Sequence, residues 1–416
     1  MTSIEQLAAA GEIDGVALAE IAEQHGTPCY VYSARQLRSA ASAVQAAIAA
    51  LPDSQASYAV KANGNLALLR IIAEAGLGFD VGSAGELARV AAATAGLNPK
   101  PHLCMTGPCK SAADIAAALG EPAATIICES PDELTRVAEM AGAAGKTADI
   151  GVRVNPDVDA ATHRHIATGI AGGKFGVDAD TGLAMMEKAG SDPRLRAAVL
   201  HCHIGSQIAR AQPLIEAAGA MIKLRDRLSG EAGECRIDLG GGFGIGDARQ
   251  RPSEDVLAAL ADWLADNAHG IGFSFQPGRS IVARAGLLLA RVEYIKGNHI
   301  LIDAAMNDLL RPALYEAQHP VAIVGGKLAG TSGSMNIAGP VCESADFLAR
   351  DIDLAAKPGD LLAIGDAGAY GFVMASNYNG RPRPCELLID AGKVAVIRSR
   401  ETIADLLAAD KIKSDG

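Results

Sequence analysis

The chain has 416 residues, 49% of them hydrophobic and 20% charged, a balance that excludes disorder, collagen and coiled coil and provides apolar material for two packed cores. Its 37 basic and 48 acidic residues give a formal charge of -11, so no basic surface is available for a phosphate backbone and no nucleic-acid partner is expected. No uncharged apolar run approaches the roughly 18 to 20 residues that span a bilayer, and the opening residues lack a basic-then-apolar leader pattern, so the expectation is a cytoplasmic protein with no membrane partner.

An extended stretch at 27–32 comes first, followed by a helical segment at 34–50. Short apolar runs then alternate with amphipathic stretches, the mark of βα units. Strands are predicted at 57–60, 78–81, 102–105, 125–128, 150–154, 199–203, 236–239 and 272–275, and helices between them at 66–75, 84–93, 111–119, 131–141, 212–228 and 253–267. Eight parallel strands close a (β/α)8 barrel; an open doubly wound sheet is the competing arrangement. After about residue 280 the pattern changes to strands without long helices, at 287–295, 300–303, 321–324, 361–364, 386–389 and 394–398. The expected division is an N-terminal segment, 1–33, packing with the C-terminal domain, a barrel over 34–277, and a β-rich domain over 278–416.

Each predicted barrel strand ends in a residue unusual for a core: Lys61, Asp80, Thr106, Glu129, Asn155, His203, the glycines 240–242, and Gln276. Barrel active sites are built at that rim, although strands also end in ordinary polar loops. Lys61, in YAVKAN (58–63), follows a β-branched and aromatic run, so its amine is expected at the barrel mouth with its stem in apolar surroundings, where desolvation favours nucleophilic chemistry; a solvated rim lysine or ion-pair partner is the plainer alternative. In LGGGFGIG (239–246), three successive glycines let backbone amides approach an anion, and PGRS (277–280) adds a second glycine turn and the planar fork of Arg279. Two such turns after strands seven and eight point to a phosphate cradle.

HCHIGSQ (201–207) places His201 and His203 on one face of strand six, with Ser206 beyond them. A metal pair is the competing reading, but barrel hydrolases carry further histidines at later strand ends, and none stands there, so no metal is expected. The eight cysteines form no CxxC pair, which argues against a zinc ribbon and a disulfide framework. An amine for an aldehyde, an anion cradle and a flat imidazole together suit pyridoxal 5'-phosphate.

At this point a resemblance emerges. YAVKAN, FDVGSAGEL (79–87), RVNPDVDA (153–160), KFG (174–176), HIGSQ (203–207), DLGGGFGI (238–245), PGRSIV (277–282), CES (342–344) and GAYGFVMASNYNGRPRP (368–384) resemble the motifs of the fold type III pyridoxal phosphate decarboxylases, the diaminopimelate decarboxylase family above all, over nearly the whole chain. The resemblance implies decarboxylation of meso-2,6-diaminopimelate to L-lysine and carbon dioxide through an aldimine at Lys61. It implies cofactor contacts from Asp80, His203, Ser206, Gly240, Gly241, Gly242, Gln276, Gly278, Arg279 and Tyr370. Substrate would be bound by Arg279, Arg311, Tyr315, Glu343 and Tyr370, and Cys342 would return the proton. Cys342 and Glu343 would serve the other subunit of a homodimer with shared active sites. Taken alone, Cys342 reads as an inert buried thiol and Arg311 with Tyr315 as a surface pair.

The pattern breaks at one position. The family turn usually reads Glu-Pro-Gly-Arg, and here Gln276 precedes Pro277. A glutamate keeps the pyridine nitrogen protonated, whereas glutamine can only hydrogen-bond to it, so a weakened electron sink is expected. That leaves open a decarboxylase of another amino acid, such as a siderophore or antibiotic precursor, an amino acid racemase, or a cofactor-binding protein without turnover. A milder departure is Ala345, where glycine is common.

Overall fold

The computed structural model describes residues 3–122, 124–158, 173–246, 252 and 255–411. The described chain forms two compact units: one holds the residues up to Leu37 and those from Val282 onward, the other the residues from Arg38 to Ile281.

In the second unit eight strands close a parallel barrel: Gln55–Ala59, Gly78–Val81, Leu103–Met105, Ala124–Cys128, Ala148–Arg153, Leu195–His201, Arg236–Asp238 and Phe273–Phe275. Each pairs with the next in sequence, and the ring closes where Ser274 and Phe275 meet Gln55 and Ala56. The strands are buried nearly end to end, as in Gly78–Val81 and Phe273–Phe275, because the barrel interior covers one face and the helical shell the other. All eight predicted strands are present and the closed barrel is the arrangement adopted. Most boundaries shift by one or two residues, and the sixth strand by more: it runs Leu195–His201 rather than 199–203, so His203 lies in the loop beyond it rather than on the strand.

The helices start where the sequence provides acceptors for their free amides. Asn65 caps Leu66–Glu74, Ser83 caps Ala84–Ala93, Ser111 makes a reciprocal box with Asp114, and Ser130 precedes Pro131 at the start of Pro131–Ala143. Each cap fixes where a strand-to-helix loop ends, and these loops form the rim of the barrel. The helix expected over 253–267 is seen as Val256–Asn267; positions 253 and 254 lie outside the described residues.

The other unit is built on the long strand Gly286–Lys296, which pairs antiparallel with Cys29–Ser33, His299–Ile302 and Leu361–Ile364. Cys29–Ser33 also runs parallel to Cys385–Asp390, which pairs with Lys393–Arg398. Its core gathers Leu18, Ile21, Val31, Leu287, Leu289, Leu387 and Ile389. On the other face of these strands, the fully buried Glu386 accepts from Tyr32 Oη at 2.7 Å and from Arg398 Nε at 2.6 Å, so the charge is paired. Two strands, Gly330–Ala338 and Phe347–Asp353, have no counterpart among the predicted elements. The first reads GTSGSMNIA and the second FLARDID, and neither shows a sustained apolar alternation. Among the described residues no helix is long and apolar enough to cross a membrane.

Candidate active site

The barrel rim collects Lys61, Asp80, His203, Ser206, Gly240 to Gly242, Gln276, Gly278 and Arg279 at the C-terminal ends of strands one, two, six, seven and eight. Lys61 sits in a single 3-10 turn, Val60–Ala62, directly after the first strand. Its side chain is 55% exposed, and Nζ lies 3.8 Å from Oδ2 of the buried Asp80. The amine stands at the barrel rim, and the expectation of apolar surroundings for its stem is corrected: the turn leaves the side chain more than half exposed, and a carboxylate stands beside it. Asp80 is fixed in turn by Thr106 Oγ1, which donates to Oδ1 at 2.7 Å.

The glycine run is required by close backbone approach. A Cβ on Gly241 would fall on the carbonyl oxygen of Gln276, and one on Gly242, at φ +90°, would fall on that of Gly205. The three loops after strands six, seven and eight thus pack backbone to backbone with no room for side chains. Gly241 N–H donates to His203 Nδ1 at 3.2 Å, so that nitrogen carries a lone pair and the ring's proton is on Nε2. Burial, with Arg153 and Lys61 nearby, pushes His203 well below the usual histidine range, consistent with that neutral tautomer. Arg279 Nη2 reaches Ser206 Oγ at 3.4 Å, bringing a cation and a hydroxyl to the edge of the glycine cradle.

Beneath the rim, Gln276 is held by His201, already noted in the sequence, and by Asp238 and Cys104, whose part there was not foreseen. Its Nε2 donates to Asp238 Oδ2 at 3.1 Å and contacts Cys104 Sγ at 3.6 Å, and its Oε1 lies 3.4 Å from His201 Nε2. Burial pushes Asp238 up to about 7, Asp80 adds to the rise, and Gly240 N–H, donating at 2.7 Å, with Gln276 opposes it. Burial also drives His201 well below its ordinary value. Asp238 stands in the quoted DLGGGFGI motif, so its position was visible in the sequence while its partner was not.

Glu129, a strand-end residue in the sequence, forms a buried pair with Arg153, 3.3 Å apart, that the sequence did not reveal. Glu129 also accepts from the backbone of Gly107 and Gly176 at 3.2 and 2.9 Å, and Arg153 lies over the Phe175 ring at 4.6 Å. That network accounts for the KFG segment; positions 159 and 160 of the RVNPDVDA motif lie outside the described residues.

The remaining expected residues belong to the β-rich unit. Arg311 opens the short helix Arg311–Tyr315 and is 7% exposed, which corrects the reading of a surface pair, while Tyr315 is half-buried. Cys342 is exposed rather than buried, its backbone N–H held by Asn379 Oδ1 at 2.9 Å. Glu343 is exposed and accepts from Ser344 N–H at 2.8 Å. Tyr370 holds φ +54°, a left-handed conformation rare outside glycine and common at ligand sites.

Comparison with known proteins shows what the whole chain is similar to. The family profile described as "Pyridoxal-dependent decarboxylase, pyridoxal binding domain" matches residues 36–283. The diaminopimelate decarboxylase of Pseudomonas aeruginosa is 42% identical over 96% of both chains, and that of Vibrio cholerae 41% over 95% of both. Among solved structures, diaminopimelate decarboxylase from Helicobacter pylori, complexed with L-lysine, superposes with a TM-score of 0.87 at 35% identity, covering 94% of this chain and 98% of that one. The M. jannaschii enzyme, also complexed with L-lysine, gives 0.85 at 34% identity, covering 97% and 96%. With a matching profile over more than half its length and relatives of this similarity along nearly all of it, the chain belongs to the pyridoxal-dependent decarboxylases.

Proposed function

We propose that the protein is a pyridoxal 5'-phosphate-dependent carboxy-lyase that converts meso-2,6-diaminopimelate to L-lysine and carbon dioxide. The observation that carries this reading is the 42% identity to a diaminopimelate decarboxylase over 96% of both chains, which takes in the β-rich unit as well as the barrel. The residues present fit the cofactor: the loop at 240–242 packs too closely on its neighbours for any Cβ, which leaves its backbone amides bare of side chains, and Arg279 and Ser206 stand side by side near it. Lys61 would hold the aldehyde carbon, Gly240 to Gly242, Gly278, Ser206 and Arg279 the phosphate, His203 the ring face, and Gln276 the pyridine nitrogen, with Asp80 and Tyr370 completing the contacts. When bound, the cofactor draws in the electron pair left on the α-carbon as carbon dioxide departs.

The chain's own residues do the rest. Asp80, beside Lys61 Nζ, orients the amine and balances its charge. Neutral His203, held by Gly241 N–H, presents an uncharged ring face that does not repel a positively polarised one. Arg311, with Tyr315 and Arg279, binds the carboxylate that stays on the product; Glu343 and Tyr370 take the distal amino group and the reacting end. Cys342 Sγ, exposed and so free to meet substrate, returns a proton to the α-carbon. The chain acts as a homodimer in which Cys342 and Glu343 serve the partner's site. Its eight free thiols suit the reducing cytoplasm.

The deciding experiment is a product assay. Purified protein with added cofactor should release carbon dioxide and L-lysine from meso-diaminopimelate. Turnover of other diamino acids in its place, or racemisation without carbon dioxide release, would overturn the substrate assignment. Gln276 is the reason to include those alternatives, because an uncharged partner at the pyridine nitrogen suits a weaker electron sink.

A further inference from the structure

We infer that His319 is a positioning residue for Arg311, locking its guanidinium so that it can receive the substrate's distal carboxylate. The inference rests on the reading of Arg311 given above. Arg311 Nη1 lies 2.9 Å from His319 Nε2, and His319 Nδ1 lies 2.8 Å from the carbonyl oxygen of Gly365. Both side chains are buried.

The geometry leaves one proton arrangement. A carbonyl oxygen only accepts, so Nδ1 carries the hydrogen; a guanidinium only donates, so Nε2 must offer its lone pair. His319 is therefore neutral, and the chain of bonds runs in a single direction from Arg311 through His319 to Gly365. An imidazolium there would set two cations 2.9 Å apart.

What His319 is tied to matters as much. Gly365 N–H donates back to the Pro320 carbonyl at 2.8 Å, and the following pair, Val321 and Ile364, begins the ladder between Val321–Ile323 and Leu361–Ile364. The imidazole is thus clamped at the mouth of a strand pair. Arg311, in contrast, belongs to a five-residue helix that stops at Glu316 in a left-handed conformation, φ +53°. Such a short helix does little to fix a long side chain by itself. The bond through His319 transfers the rigidity of the sheet to the guanidinium, which lowers the ordering cost of binding a carboxylate. No motif points to this role, because a lone histidine eight residues after the arginine has no distinctive spacing.

The test uses the full-length holoenzyme and two ligands that differ by one carboxylate: L-lysine, and 1,5-diaminopentane, which lacks it. Affinities are read from the change in cofactor absorbance, without turnover. In the parent protein L-lysine should bind more tightly than the diamine. His319→Ala should reduce that preference about tenfold, the loss of one hydrogen bond to a charged group, and should raise KM for meso-diaminopimelate more than it lowers kcat. His319→Gln, whose amide can accept from Arg311 and donate to Gly365, should restore most of the preference. Arg311→Ala should abolish it. If Arg311→Ala destroys the preference while His319→Ala and His319→Gln leave it intact, the positioning role is overturned. If Arg311→Ala leaves the preference unchanged, the carboxylate reading of Arg311 falls and this inference falls with it.

Discussion

Gln276→Glu changes one buried atom at the C-terminal end of the eighth barrel strand and has a calculable consequence. The amide Nε2 that donates to Asp238 Oδ2 at 3.1 Å becomes a second carboxylate oxygen. Two such charges at this separation repel by about 5 kcal/mol at an effective dielectric of 20, equivalent to roughly four pK units. Asp238 is already pushed up to about 7, so it keeps a proton and donates it to the introduced carboxylate, which stays anionic. The native state then holds a proton above pH 7 that the unfolded chain has released. Stability falls as pH rises wherever the native state binds more protons than the unfolded one. In the parent protein that window runs from the ordinary aspartate range up to about 7; in the variant it continues beyond 7. At about 1.4 kcal/mol per pH unit, the variant should lose about 3 kcal/mol relative to the parent between pH 7 and 9. Thermal unfolding midpoints measured from pH 6 to 9 should therefore run parallel up to neutrality and then diverge, the variant lower. The same anion, placed at the pyridine nitrogen, should raise kcat by about an order of magnitude, roughly 1.4 kcal/mol of barrier. Midpoints that stay parallel through pH 9 would refute the coupling of Asp238 to position 276, and an unchanged or lower rate would show a site adapted to glutamine.

Lys61→Ala should abolish both turnover and the visible absorbance of bound cofactor while leaving the thermal midpoint of the cofactor-free protein nearly unchanged, since the side chain is 55% exposed; full turnover in this variant would end the proposed chemistry. Gly241→Ala places a methyl group on the Gln276 carbonyl and should weaken cofactor affinity at least tenfold, read by equilibrium titration of pyridoxal phosphate; wild-type affinity would show that the cradle lies elsewhere. Glu129→Ala strips the partner from buried Arg153 and two backbone amides, and should cost about 3 to 5 kcal/mol of stability in denaturant unfolding, whereas a loss below about 1 kcal/mol would mean that water or another group replaces the carboxylate.

The eight strands and the helices between them were legible in the chain, because period and punctuation are local, whereas closure into a ring rests on the pairing of Ser274 and Phe275 with Gln55 and Ala56. Apolar runs such as those at 78–81 and 273–275, and caps such as Ser83, Ser111 and Ser130, act within a few residues and fix where strands end and helices begin. The rim followed from the same signals, since a residue just past a strand end must stand there, as Lys61 and Gly240 to Gly242 do. Gly330–Ala338, polar with two glycines, and Phe347–Asp353, interrupted by Arg350, Asp351 and Asp353, escaped notice because such strands owe their form to their pairing partners. Tertiary structure alone decided which polar groups meet. Asp238 and Gln276 are 38 residues apart, and Arg153 and Glu129 24, distances in sequence that only the register of adjoining barrel strands converts into hydrogen bonds. The exposure of Lys61 and Cys342 and the burial of Arg311 were likewise settled by packing. Chain-local physics selects a residue's backbone state; its solvent contact and its charge partners depend on what the rest of the chain places beside it.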